Sequence, residues 1–167
     1  MAIEERDKSD DLEGEARYIG GVIKRVSNFN METLNGRKIF QKTTYLIQAF
    51  GIELGYEFNW YLYGVYSPDL ADVGYKLQDI YDDVSESKFT NEENEKRFQE
   101  FLEFITPMKE DVHRLMINSS LHYLQEQNPD LHRDQLIEFL IEEKDLSDEK
   151  FDECVEEWQR MKDYGLV

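Results

Sequence analysis

The side chains in this sequence with chemistry to offer are three histidines, one cysteine, and a run of aromatic and basic residues between Lys24 and Ser67. His113, His122 and His132 would bind a metal only with carboxylate or thiolate partners at ligating spacing. Glu110 and His113 have the i, i+3 spacing that di-iron bundles use, but such bundles need the pair on two helices and it occurs here once. Cys154 lies between Phe151 and Val155 on an acidic segment whose carboxylates oppose a thiolate, so it reads as a buried structural thiol. Gly-rich phosphate loops, Gly-x-Ser-x-Gly elbows and His-Glu-x-x-His pairs are missing, and the acidic pairs are scattered as on a solvated face. No catalytic set, metal or cofactor is expected, and an unrecognised enzyme stays as an alternative.

The aromatic segment is more informative. Tyr56, Phe58, Trp60, Tyr61, Tyr63 and Tyr66 fall within twelve residues, a density suited either to an interface hot spot or to a core. Tyr56, Phe58, Trp60 and Leu62 alternate with Glu57, Asn59, Tyr61 and Tyr63, the period of a strand. The first set reads as core, and Tyr61, Tyr63 and the turn from Gly64 to Ser67 as the face for binding. Just before it, Lys24, Arg25, Arg37, Lys38 and Lys42 are accompanied by a single acid, Glu32. That stretch is either the polar face of two helices or a patch for an anion.

Helices must position these residues. Tyr18, Val22 and Val26 (with Ile19 and Ile23 beside them) recur at helical spacing from Glu13 to Phe29, despite the Gly20–Gly21 pair. Ile39, Thr43, Leu46, Ile47 and Phe50 mark a second helix from Asn35, closed by Gly51 as a left-handed cap. Ser67, Pro68 and Asp69 supply an N-cap, a first-turn proline and a dipole-matched charge for a third, with Leu70, Val73, Leu77, Ile80 and Tyr81 buried. Val84 to Phe89 is a short link with some strand character. Thr90 and Glu93 have capping-box spacing before a helix that ends at Pro107. Another follows over Val112 to Tyr123. Asn128 and Pro129 cap the next, burying Leu136, Phe139 and Leu140, and the last begins at Ser147 and stops at Gly165. The expected fold is mainly α (α+β): a helical bundle-like domain of at most seven helices with one strand or a small β-hairpin. A winged-helix shape is the specific variant, with residues 164–167 starting the wing. A frayed segment at 1–12 would precede one compact domain over 13–167, in which 91–167 could form an all-helical subdomain.

Composition narrows the function. The chain has 167 residues, ten Tyr and ten Phe, enough for one domain with a real core. A single cysteine forbids an intrachain disulfide and fits a reducing cytoplasm. The charged N-terminus lacks the apolar centre of a signal peptide, and no apolar run approaches membrane-spanning length. A net charge of −18 repels phosphate backbones and anionic membranes, which disfavours nucleic acid and favours a basic protein partner. A last helix carrying Asp148, Glu149, Asp152, Glu153, Glu156 and Glu157 would likewise repel DNA if it were a recognition helix.

The run Ile39-Phe40-Gln41-Lys42-Thr43-Thr44-Tyr45-Leu46-Ile47-Gln48, followed by Trp60-Tyr61-Leu62-Tyr63-Gly64-Val65-Tyr66-Ser67, resembles the Panacea domain and the related YwgA-like proteins. There a helix with "LQKLxY" precedes an aromatic strand ending in "YGPYS" or "YGPV". This chain has Val65 at the family's proline, and Thr43 and Thr44 after the glutamine. The resemblance spans roughly Asn35 to Tyr81. It implies a helical domain with a small sheet, found in antitoxins that neutralise diverse toxins and in winged-helix-like regulators. It implies no catalytic residue, and the matched positions are Gln41, Lys42, Tyr45, Tyr63, Gly64, Tyr66 and Ser67. With Arg37, Lys38 and Tyr61 these form the expected partner-binding set. The expected function is a non-enzymatic, antitoxin-like interaction module that binds a toxin or another basic protein. The alternative is a transcription regulator contacting DNA through Lys24–Lys42.

Overall fold

The element that organises the molecule is α2 (Leu34–Ala49), a helix in which every residue from Ile39 to Ile47 is buried. Thr33 caps it by accepting from the Gly36 N–H at 2.9 Å, and Gly51, at φ +87°, ends it in the left-handed conformation expected there. A helix buried on all sides is normally apolar throughout. This one also buries Gln41, Lys42, Thr43 and Thr44.

Around it, in a computed structural model that describes residues 8–62 and 64–167, lie α1 (Lys8–Val26), α3 (Pro68–Ile80), α4 (Glu92–Ile105), α5 (Val112–Gln127), α6 (Arg133–Glu143) and α7 (Lys150–Asp163). β1 (Asn59–Tyr61) and β2 (Gly64–Tyr66) pair antiparallel between α2 and α3, so the described residues are mainly α with one small hairpin, as expected. α1 packs along α3, where Gly20 lets the helices approach: a Cβ there would lie 2.5 Å from Leu77 Cδ1. α5 packs against α2 and β2 on one side and α6 and α7 on the other. Phe98, Phe101 and Phe104 of α4 fill the core beside Phe50.

Several local expectations shift. Of the frayed segment expected at 1–12, residues 1–7 lie outside the described ones, and α1 starts at Lys8, ahead of Glu13. The expected strand shrinks to Asn59–Tyr61, and its partner is Gly64–Tyr66. Residues 84–89 form no strand; they lie along α1, with the Ser87 N–H donating to Gly21 O at 3.1 Å. Asn91, not Thr90, caps α4, because its Oδ1 accepts from the Asn94 N–H. Asn128 closes α5, its backbone and side-chain N–H groups both donating to Leu124 O. α7 starts at Lys150 after a turn over residues 147–149.

Phe139 faces solvent, where burial was expected. α6 buries the adjacent stripe of Leu136, Ile137, Leu140 and Ile141. The wing expected at 164–167 does not form. Gly165, at φ +79°, closes α7 with Gly165 N–H to Lys162 O and Leu166 N–H to Met161 O, both at 3.0 Å, folding Leu166 back onto the core.

Candidate functional site

Two glutamines on α2 build the site. Gln41 donates its amide to Ser67 O at 3.0 Å and accepts from the Ser67 N–H at 2.9 Å. Gln48, two helical turns on and so on the same face, does the same for Tyr56, with both bonds at 3.0 Å. Each primary amide thus completes a backbone pair as a neighbouring strand would, which satisfies groups that burial would otherwise strand. The segment between them is pinned at both ends to α2. Within it Tyr61 opposes Gly64, so the hairpin turns in two residues. Gly64 has φ +97°, and a Cβ there would lie 3.3 Å from Ser120 Oγ and 3.8 Å from Lys42 Nζ, which makes glycine the fitting residue.

The pinned hairpin stands off α2 and α3 and encloses a pocket of about 350 Å³. Its floor is made of buried Met31, Gln41, Lys42 and Val65, and its rim of exposed Leu34, Tyr61, Leu62, Tyr66 and Tyr75. Leu62 is 80% exposed and Tyr75 50%. Tyr61 and Tyr66 meet edge to face at 5.3 Å. Ala71 completes the wall, Arg37 and Lys38 enter from α2, and no carboxylate lines the pocket among the described residues. Lys144, from the end of α6, braces the turn from behind. Its ammonium donates to Leu62 O at 2.9 Å and sits 4.6 Å over the Trp60 ring.

The electrostatics centre on Lys42, which is only 2% exposed. Burial first, then the positive charges of Lys144 and Lys38, pull its ammonium down to about 8. Burial, with Tyr75 and Asp72 nearby, pushes the Tyr66 hydroxyl up, so it stays a neutral donor at the rim. The pocket therefore presents an apolar wall, a cationic floor and phenolic edges.

Six of the ten expected partner-binding residues line this pocket: Arg37, Lys38, Gln41, Lys42, Tyr61 and Tyr66. Gly64 adjoins it at Lys42. Ser67 lies behind it, buried, capping α3 through an Oγ that accepts from the Leu70 N–H. Tyr45 points the other way, into the core, where its hydroxyl meets His122 Nδ1 at 2.7 Å and its ring packs on Phe58. Tyr63 lies outside the described residues. Of the residues expected in the core, Tyr56, Phe58 and Trp60 are partly buried against it, but Leu62 is not: it occupies the turn.

The basic stretch divides. Arg25 is held by Glu95 through two bonds of 2.7 and 2.6 Å and lies over Phe98, and Lys24 sits over Tyr81. Only Arg37, Lys38 and Lys42 reach the pocket. The remaining candidate chemistry is dispersed. His113 faces Glu153 at 3.4 Å, and burial holds His122 below its usual range. Burial and then the charges of Glu153 and Glu157 push the Cys154 thiol up to about 11. No group of His, Cys, Asp and Glu among the described residues could hold a metal ion, and no helix there is long and apolar enough to cross a membrane.

Sequence reasoning placed Val65 on this face only as part of the Gly64–Ser67 turn, and did not place Met31, Leu34, Leu62, Ala71, Tyr75 or Lys144 there. Tyr75 carries a usable signal, since it is a large aromatic off the Leu70, Val73, Leu77 stripe of its own helix. Leu34 is likewise an apolar residue at the exposed start of α2. Comparison of the chain with family models, curated proteins and solved structures gives no match.

Proposed function

We propose that this chain is a protein-interaction module, antitoxin-like in holding a partner protein through the pocket between α2, the hairpin and α3. One observation carries the reading. Eight large hydrophobic residues are exposed among the described ones, and five of them, Leu34, Tyr61, Leu62, Tyr66 and Tyr75, ring this single pocket. Scattered exposed apolar residues need no explanation, but a contiguous aromatic patch beside buried cations has the composition of a binding hot spot. The net charge of −18 supports a partner with a basic surface, because that field speeds its approach.

The test is co-purification from the native host with the chain and with a Tyr61→Ser, Leu62→Ser variant. Both side chains are exposed, so the variant keeps its circular dichroism and melting temperature. The partner recovered by the parent is expected to be lost by the variant. Equal recovery would remove the pocket from the interaction.

Lys42 favours a second reading, since an amine held near 8 in an apolar pocket suits imine formation with a carbonyl substrate. Treatment with small aldehydes and borohydride, followed by mass spectrometry, separates the two. A stable adduct on Lys42 supports enzyme chemistry, and an unmodified Lys42 retires it. The DNA reading has less support, because Arg25 is neutralised by Glu95, Lys24 sits over Tyr81, and the other three cations surround a pocket.

A further inference from the structure

Tyr75 belongs to two depressions at once. On one side it closes the pocket between α2, the hairpin and α3, and on the other it borders an acidic hollow of about 520 Å³ along α3. Resting on the reading that this pocket docks a partner, we infer that the partner offers a segment with one large apolar side chain seated in the pocket and a Lys or Arg beside it, laid across Tyr75 onto Asp72 and Asp79.

Helix spacing sets the path. Asp72, Tyr75 and Asp79 stand at i, i+3 and i+7 of α3, so they share one face, and all three are exposed. The seven residues from Asp72 to Asp79 rise about 10 Å, which three residues of extended chain also cover. A short segment can therefore fill the pocket and reach both carboxylates.

The charges along this path are ordered. Arg37 and Lys38 stand on the α2 side of the pocket, and the Arg37 guanidinium already donates to Met31 O at 3.1 Å. They need no anion from a visitor; their positive charge turns a base away from that side. Across Tyr75 the hollow is lined by Glu15, Asp69, Asp72 and Asp79, with Lys76 its one base among the described residues. Glu15 and Asp69 are engaged within the fold. Asp72 and Asp79 make no side-chain hydrogen bond or ion pair among the described residues, although Lys76 lies between them on the helix. Asp72 also acts on the pocket rim: burial first, then Tyr75 and Asp72, push the Tyr66 hydroxyl up. A base laid there meets carboxylates beside the exposed Tyr75 ring, a surface for charge and cation–π contact together.

The apolar part follows from the pocket. A volume of about 350 Å³ takes a large side chain, and Tyr61 and Tyr66, packed edge to face at 5.3 Å, present ring faces and edges to it. An apolar residue alone would leave the acidic hollow uncovered, and a base alone would leave the aromatic rim in water. Together they cover one continuous surface with an apolar centre and a charged edge, which is the anatomy of a protein interface.

Three pools of heptapeptides, acetylated and amidated so that the ends carry no charge, test the inference by NMR titration of the full chain. The first has a central Leu, Met, Phe or Trp with Lys or Arg within two positions, the second replaces each base with Gln, and the third keeps the bases around a central Ser. The first pool is expected to shift the Gly64, Val65, Tyr66, Asp72 and Asp79 amide resonances and to bind about five-fold or more tightly than either other pool. The double variant Asp72→Asn, Asp79→Asn is expected to lose the preference for the first pool over the second. Glu138→Gln, Glu142→Gln, which removes two exposed charges from α6 instead, is expected to keep it. All four side chains are exposed, so both variants stay folded by circular dichroism. Equal binding of the first pool and either other pool, no binding by any pool, or an unchanged preference in Asp72→Asn, Asp79→Asn would overturn the inference. Equal loss in the two double variants would overturn it in favour of the diffuse field of the whole chain. These failures leave the docking reading to its own test, since loss of partner recovery in the Tyr61→Ser, Leu62→Ser variant does not depend on the charge the occupant carries.

Discussion

Arg25 and Lys42 stand at two ends of one basic stretch, both largely buried and both on central helices, and their surroundings are opposite. Arg25 meets a carboxylate in a two-bond pair with Glu95 and covers the Phe98 ring. That pair holds the Glu95 carboxyl at about 2, chiefly through the Arg25 hydrogen bonds. Lys42 is surrounded by other lysines and by apolar and phenolic walls, and is pulled down to about 8. A buried cation beside a carboxylate is held as an ion pair, whereas burial beside other cations works against the charge of the group it surrounds. Sequence-level charge counting treats the two alike.

Arg25→Met breaks the comparison most strongly. It leaves Glu95 partly buried without its partner, and the expected loss is about 3 kcal/mol, roughly 10 °C in melting temperature. The pH dependence supplies the sign. Glu95 is depressed in the folded state from 4.5 to about 2, so its contribution is present above pH 4.5 and is lost as pH falls toward 2. Urea titrations across that window should show a slope in the parent chain that shrinks in Arg25→Met.

Lys42→Met should act in the other direction. A lysine lowered from 10.5 to about 8 binds fewer protons folded than unfolded, so stability rises between pH 8 and 10.5 and is diminished below pH 8. Replacing it with Met is expected to stabilise the fold at pH 7 by about 2 kcal/mol, less than the full shift implies because some hydrogen bonding is lost with the ammonium. Flattening of the alkaline rise in the same variant would confirm the cause. A destabilised Lys42→Met would show that Lys42 is structural, and the contrast with Arg25 would disappear.

Much of this arrangement was legible beforehand, and its limits have identifiable causes. Helix starts with local chemistry, such as Ser67-Pro68-Asp69, and stops such as Gly51 and Gly165, can be read because caps and left-handed positions depend on a few adjacent residues. Arg37, Lys38, Lys42, Tyr61 and Tyr66, which line the pocket, could be singled out beforehand because their types were anomalous for their elements. Leu62 and Phe139 were misplaced for a different reason. Period-based reading assumes an element runs on, but β1 ends at Tyr61 and α6 has room for only one buried stripe. The Gln41 and Gln48 bridges, the Arg25–Glu95 pair and Lys144 over Trp60 link residues that no local rule connects.

Tyr45 sharpens the contrast from within α2, since it belongs to the same helix as Lys42 yet faces the core. Its hydroxyl lies 2.7 Å from His122 Nδ1, a ring that burial keeps below its usual range and therefore neutral. Tyr45→Phe removes one buried hydrogen bond and is expected to cost about 1 kcal/mol, measured by urea denaturation. Partner recovery should be unchanged. Loss of the partner without loss of stability would instead assign Tyr45 to recognition and extend the site through α2.

Leu62→Ser has the smallest expected effect on the fold and separates site from scaffold most cleanly. The side chain is 80% exposed at the tip of the hairpin, so its apolar area contributes little to folding, and stability should stay within about 0.5 kcal/mol of the parent. The backbone of the turn is braced independently, because Lys144 donates to the Leu62 carbonyl, a group that serine retains. If the pocket docks a partner, the rim residue that a bound chain would cover first is Leu62, and its loss should weaken affinity several-fold by titration calorimetry. Unchanged affinity would confine recognition to the floor around Lys42, and a drop in stability would instead make the hairpin tip part of the scaffold.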